Sequence, residues 1–126
     1  MIYMLTDPEW KIMEYLWENT PVSGRRVASQ METETGWKRT TTLTYLQRME
    51  NKGIIRCDCT SDKKMYSPVL TREQATLDES TAFIQRIYNG SVSLMVNFLA
   101  QKQKLSKNEI KQLYEILERA EKENDN

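Results

Sequence analysis

The sequence predicts a mostly α-helical protein with one small β-hairpin, and three features predict it. The 126 residues are 39% hydrophobic and 29% charged with only four Gly and three Pro, the composition of a helix-rich globular chain rather than a disordered or fibrous one. Apolar residues recur at three- and four-residue spacing along most of the chain. Residues 54–70 depart from that spacing and read as two short runs around a polar turn.

The first helix starts at Thr6-Asp7-Pro8-Glu9, where Thr6 caps, Pro8 occupies the first turn and Glu9 returns the capping-box bond. Trp10, Met13 and Trp17, flanked by Ile12 and Leu16, form its apolar stripe, with Lys11, Glu14 and Glu18 on the other side. It ends near Asn19, ahead of Pro21. Ser23 caps a short second helix that turns Val27, Ala28 and Met31 inward and stops at Gly36. A third helix runs from about Lys38 to Lys52, with Thr42, Leu46 and Met49 as its buried line and Gly53 as its C-cap. Ile54 to Cys59 and Lys64 to Leu70 are two strands joined by Thr60-Ser61-Asp62-Lys63. Thr71-Arg-Glu-Gln74 is a capping box for a fourth helix carrying Phe83, Ile84, Ile87 and Tyr88 up to Asn89-Gly90. Ser91 precedes a fifth, with Val92, Met95, Val96 and Leu99 on one stripe and Leu94 and Phe98 beside it. Ser106-Lys-Asn-Glu109 caps a sixth bearing Ile110, Leu113, Leu117 and Ala120, and the tail after Glu121 is expected to fray.

Helix, helix, helix, hairpin is the element order of a winged helix-turn-helix domain with a two-stranded wing, whose third helix can lie in the DNA major groove. Residues 1–70 are expected to form that domain and 71–126 a three-helix arm. So few residues as the arm's ~55 rarely bury a sufficient core alone. Either the N-terminal domain or a second subunit must cover its apolar faces, and a two-fold partner is the favoured cover. The residues assigned to that dimer interface are Phe83, Ile87, Val92, Met95, Val96, Leu99, Ile110, Leu113 and Leu117.

Composition excludes much else. The chain has no His, which removes imidazole metal sites and Ser-His or Cys-His nucleophile pairs, and it shows no paired-carboxylate cleft or phosphate-cradling Gly loop, so an enzyme is not expected. No cofactor or metal site is expected either. Cys57 and Cys59 lie on one face of a strand, too close for an ordinary structural bridge and without further ligands to complete a zinc shell, so reduced thiols in strand packing are the default reading. No apolar run approaches the ~20 residues of a membrane span, and MIYMLTDPEW has neither the basic start nor the apolar stretch of a signal peptide, which points to the cytoplasm.

Net charge is zero, but Lys38 to Lys64 holds seven basic residues against three acidic, a focused patch. Lys38, Arg39, Thr40, Thr41, Thr44 and Arg48 leave the third helix away from its buried line, and their cationic and hydroxyl groups suit phosphate oxygens and base edges, although such residues also decorate solvated helix faces. Leu43 either meets a thymine methyl or packs on the wing. Lys63 and Lys64 at the wing tip reach a flanking phosphate or simply keep an exposed hairpin soluble.

From Leu5 to about Arg119 the chain resembles the BlaI/MecI penicillinase-repressor family. Thr6-Asp7-Pro8-Glu9-Trp10 followed by Ile12-Met13-Glu14-Tyr15-Leu16-Trp17 is similar to the family's opening helix. WKRTTTLTYLQRMENKG, Trp37 to Gly53, is similar to its recognition helix, with Thr41, Thr44, Arg48, Lys52 and Gly53 on recurring positions. Tyr66-Ser67-Pro68 matches the second wing strand, and GSVSLMVNFLAQKQKLSKNEIKQLYEIL looks like the dimerisation arm. Leu43 departs from the polar or basic residue common in relatives. The tail LERAEKENDN lacks the paired Cys-x-Cys motifs of the copper-responsive branch.

The resemblance implies a homodimeric repressor of the antibiotic-resistance type, bound to a pseudo-palindromic double-stranded operator. In inducible members a membrane-bound β-lactam sensor protease leads to cleavage at an Asn-Phe bond, which corresponds here to Asn97-Phe98. A winged-helix repressor answering another signal, such as a metal, and a winged-helix protein-contact module are the alternatives.

Overall fold

The computed structural model describes residues 4–124. The element order is α1 (Asp7–Asn19), β1 (Val22–Ser23), α2 (Gly24–Thr35), α3 (Arg39–Lys52), β2 (Ile55–Asp58), β3 (Met65–Pro68), α4 (Arg72–Tyr88), α5 (Val92–Gln101) and α6 (Lys107–Asn124). Two compact units emerge, residues 1–81 and 82–126.

In the first unit the local signals of the sequence become caps. Thr6 Oγ1 accepts from the Glu9 amide at 3.3 Å while Glu9 Oε1 accepts from the Thr6 amide at 2.9 Å, closing the capping box of α1. Ser23 caps α2 through the Arg26 amide. α2 and α3 both end on a glycine in the left-handed region, Gly36 at φ 79° and Gly53 at φ 82°, which a side chain would strain.

Packing follows from the apolar spacing. Ile12, Met13 and Leu16 of α1, Val27 and Met31 of α2, and Leu46 and Met49 of α3 are wholly buried and form one core with Ile54, Ile55, Tyr66 and Leu70 of the hairpin. Trp10 and Trp17 lie only half-buried at its edge, their rings edge-to-face at 5.8 Å. The Trp17 indole donates to the Leu70 carbonyl at 2.8 Å, so α1 holds the end of the hairpin.

The sheet differs from the expected two-stranded wing. It has three antiparallel strands in the order β1-β3-β2, because Val22 pairs with Tyr66 and Ser23 with Met65, and the Gly24 amide extends the ladder to the Lys64 carbonyl. A two-residue strand leaves no periodic trace in a sequence. The wing itself is β2 and β3, registered from Ile55–Pro68 to Asp58–Met65.

The first unit extends beyond Leu70 to Thr81, taking in the beginning of α4, because Ala75 and Asp78 are buried and Arg72 Nη1 bonds Glu14 Oε2 at 2.6 Å while its guanidinium lies over Trp17. Thr71 caps α4 through the Gln74 amide, but the reciprocal half of the expected capping box is missing: Gln74 Nε2 donates instead to Asp78 Oδ1.

The second unit comprises the rest of α4, then α5 and α6. Asn89 and Gly90, both at positive φ, separate α4 from α5. Ser91 caps α5, and Ser106 with Glu109 closes the capping box of α6. The expected fraying after Glu121 does not occur within the described residues, where α6 continues to Asn124 with a Glu118–Lys122 pair across its last turns. Neither α5 nor α6 has a buried residue.

Glu9 is a buried carboxylate joining two helices. Its Oε2 lies 2.6 Å from Lys52 Nζ, at the far end of α3. Burial opposes its ionisation, but the bonds from Lys52 and Thr6 outweigh that and hold the carboxyl below the ordinary glutamate value. A depressed native pKa adds stability above the unfolded-state pKa and loses it as pH falls through the native one. Glu9→Gln is therefore expected to cost ~1–3 kcal/mol at pH 7, with the difference from wild type shrinking below about pH 4, as urea midpoints at the two pH values would show.

Candidate nucleic-acid interface

Because Thr42, Leu46 and Met49 face the core, α3 turns Thr40, Thr44, Gln47 and Arg48 outward. Trp37 fixes the approach to this helix: its amide donates to Thr35 Oγ1, and its ring packs on Tyr45 at 5.1 Å between centroids. α3 opens at Lys38 with no side-chain cap, so the positive end of the helix carries no internal acceptor from a side chain.

Between the start of α2, one flank of α3 and the wing lies an open cleft of about 840 Å³. Arg25, Arg26, Arg39, Lys63 and Lys64 line it, against two acids, Glu50 and Asp62. Tyr66 and Leu43 supply its apolar part beside Gly24, where an added Cβ would come 3.1 Å from the Tyr66 ring. Burial pushes the Tyr66 phenol up to about 12, so it stays protonated. The wing turn is built by side-chain bonds. Thr60 donates to Asp58 Oδ1 from its amide and its hydroxyl, at 3.0 and 2.8 Å, and these bonds hold the Asp58 carboxyl below its ordinary value. Ser61 Oγ donates to the Lys63 carbonyl.

Of the residues singled out in the sequence, Arg39, Leu43, Lys63 and Lys64 come together in this cleft. Lys38, at the N-cap of α3, and Thr40, Thr41, Thr44 and Arg48 on the helix are exposed outside it, and the Thr44 hydroxyl donates back to the Thr40 carbonyl. Leu43 is half-buried against the core cluster and near Gly24. Arg25, Arg26, Gln47 and Tyr66 also line the cleft, beyond the residues that the sequence assigns to DNA. A signal existed for the two arginines: both sit in the first turn of α2, where positive charge opposes the helix dipole and is unfavourable unless an anion is to be met there.

Met95, Val96, Leu99 and Leu113 line a small cleft of about 210 Å³ between α5 and α6 within one chain. By contrast Phe83, Ile87, Val92, Ile110 and Leu117 are exposed, Ile87 to 53% and Leu117 to 62%. Asn97 and Phe98 lie exposed in the middle of α5. No helix among the described residues is long and apolar enough to cross a membrane.

The family model described as penicillinase repressor matches residues 5–119. The chain is 30% identical over 118 residues to a penicillinase repressor of Bacillus licheniformis, covering 93% of this chain and 91% of that protein. It is 29% identical over 118 residues to the methicillin resistance regulatory protein MecI of Staphylococcus aureus strain N315, covering 91% of this chain and 94% of the relative. The solution structure of the DNA binding domain of the repressor BlaI superposes with a TM-score of 0.53 at 20% identity, covering 59% of this chain and 90% of that one, which establishes the winged-helix fold.

Arg25 and Arg26 belong to the first turn of α2, whereas Gln47 stands on the exposed face of α3. Removing Arg25 and Arg26 together is expected to weaken binding to specific and unrelated DNA alike and to reduce the salt slope by about two, whereas Gln47→Ala changes preference between sequences. Fluorescence anisotropy against both duplexes at several salt concentrations distinguishes these outcomes.

Proposed function

The chain belongs to the penicillinase repressor family, a family of transcriptional repressors rather than enzymes, and from that premise we propose that it acts as a homodimer on a pseudo-palindromic operator. The observation that carries the DNA reading is the cationic cleft of Arg25, Arg26, Arg39, Lys63 and Lys64 flanking an outward-facing α3. In this reading Lys38, Arg39, Thr40, Thr41, Thr44 and Arg48 approach the major groove, with Leu43 at the groove edge and Lys63 and Lys64 on a flanking phosphate. The uncapped start of α3 adds a favourable end for another phosphate.

In this reading residues 1–70 carry the DNA-reading surface and residues 71–126 the dimerisation arm, whose α4 begins within the first unit and leaves it after Thr81. Support for the dimer comes from α5 and α6, neither of which has a fully buried residue in a single chain, and from the exposed Phe83, Ile87, Val92, Ile110 and Leu117; free chains rarely leave so much apolar surface to water. Met95, Val96, Leu99 and Leu113 back that surface from within the α5–α6 pair.

Cytoplasmic location and induction by proteolysis complete the proposal. A protease acts on extended backbone, so Asn97-Phe98 must leave its helix before it is cut. α5 has no buried residue to resist such opening. Cleavage there detaches α6, with Ile110 and Leu117, from the rest of the arm. The agent is a membrane-bound sensor protease, and the regulated genes are those of β-lactam resistance.

Titration of the purified protein onto its own upstream intergenic DNA, with sedimentation for stoichiometry, tests the proposal. Two chains per site and affinity that falls steeply with salt are expected. Salt-insensitive or absent binding to specific and unrelated DNA alike would point to a protein-contact module instead. A chain ending at Asn97 should sediment as a monomer and bind the operator ~10²–10⁴-fold more weakly, since two linked half-site contacts become separate ones. Tight binding by that monomer would contradict the role of the arm.

A further inference from the structure

Cys57 and Cys59 are the only two cysteines of the chain, and both fall on the wing. Cys57 is half-buried against the core and stands opposite Tyr66 in the β2–β3 register. Cys59 is exposed, one residue beyond the end of β2. Their sulfurs lie 3.0 Å apart.

We propose that Cys57 and Cys59 are a dithiol modification site, oxidised by peroxides to an intrachain disulfide that distorts the wing and lowers DNA affinity. The effect on affinity rests on the DNA reading above.

The separation leaves about 1 Å to close before a bond of ~2.05 Å forms. Extended residues two apart have Cα atoms about 6.6 Å apart, near the upper end of what bridged cysteines tolerate, so closure favours a shorter backbone between Cys57 and Cys59. Asp58 lies at the centre of that segment. It pairs with Met65 at the last rung of the wing and accepts both bonds from Thr60 that shape the turn. Contraction at Asp58 therefore displaces the turn that presents Lys63 and Lys64. Tyr66, opposite Cys57, transmits the same change to the cleft, because its ring packs beside Gly24 and Leu43.

The chemistry balances with peroxide as the oxidant. The Cys59 sulfur attacks one peroxide oxygen, the O–O bond breaks, and a water leaves with the thiol proton, giving a sulfenic acid. The Cys57 sulfur then attacks the Cys59 sulfur, and the departing hydroxide takes the Cys57 proton as a second water. Two thiol protons and two electrons pass to the peroxide, which becomes two waters, and one S–S bond forms. Exposure suits Cys59 to the first step. Burial and the neighbouring Cys59 push the Cys57 thiol up to about 11, which disfavours it as the first attacker on peroxide; in the second step the Cys59 sulfur already stands 3.0 Å away, and that proximity carries the closure.

The test treats the reduced full chain with hydrogen peroxide, maps its peptides by mass, follows amide exchange across the wing without DNA, and titrates the protein onto its operator fragment. The peptide carrying both cysteines is expected to lose two hydrogens and exchange at Met65 and Tyr66 to quicken. Affinity should drop about tenfold, as for loss of one or two phosphate contacts. Dithiothreitol should reverse all three changes, and Cys59→Ser should bind like reduced wild type and show none of them. A sulfinate or a cross-chain disulfide in place of the intrachain bond would overturn the site. An intrachain bond that leaves exchange and affinity unchanged would overturn its consequence. Failure of the reduced protein to bind any DNA would count against the DNA reading, and the mass and exchange results would still decide the dithiol.

Discussion

Burial of Thr42, Leu46 and Met49 holds α3 in one rotational setting against α1 and α2, and the outward face of the protein depends on that setting. A slide of one residue would rotate the helix by about 100°, taking apolar side chains from the core and bringing polar ones in. Cost on that scale fixes which residues look outward. Thr40, Thr44, Gln47 and Arg48 are thus presented by the core rather than by any contact of their own. The Glu9–Lys52 pair pins the far end of the same helix to the first turn of α1. Thr42 bears a cost in this arrangement, since its buried hydroxyl has no partner among the described residues.

The wing is attached to this frame at both ends. Ile54 and Ile55 enter the core directly after Gly53 turns the chain, and Leu70 returns to it under Trp17. Between those anchors β1 adds a third strand that brings the Arg25-Arg26 turn beside the lysines of the wing tip. Three stretches far apart in sequence thereby place five cationic groups around one cleft. The chain can be neutral overall and still present a positive field where an anion approaches.

Much of this was legible in the sequence because its determinants are local. Caps at Thr6, Ser23, Ser91 and Ser106, the stops at Gly36 and Gly53, and the buried line of α3 each depend on residues within a turn or two of one another. What was not legible is non-local. β1 is two residues long and exists only through its pairing with β3. The assignment of Arg25 and Arg26 to the cleft required knowing that β1 carries them there. Gln74 shows the same limit on a small scale: its spacing suited a capping box, but the buried Asp78 one turn later took its amide. In the arm, the apolar excess was readable, whereas the division between Met95, Val96, Leu99 and Leu113 facing their own chain and Phe83, Ile87, Val92, Ile110 and Leu117 facing outward needed the packed α5–α6 pair.

The central claim is that one face, built from α3, the first turn of α2 and the wing tip, meets DNA. Amide chemical-shift mapping of the full chain on addition of its operator duplex tests it most directly. The account predicts that the largest changes fall on Arg25, Arg26, Arg39, Thr40, Thr44, Gln47, Lys63 and Lys64. Changes centred instead on the groove of Lys11, Tyr15 and Glu34, with α3 unmoved, would contradict it.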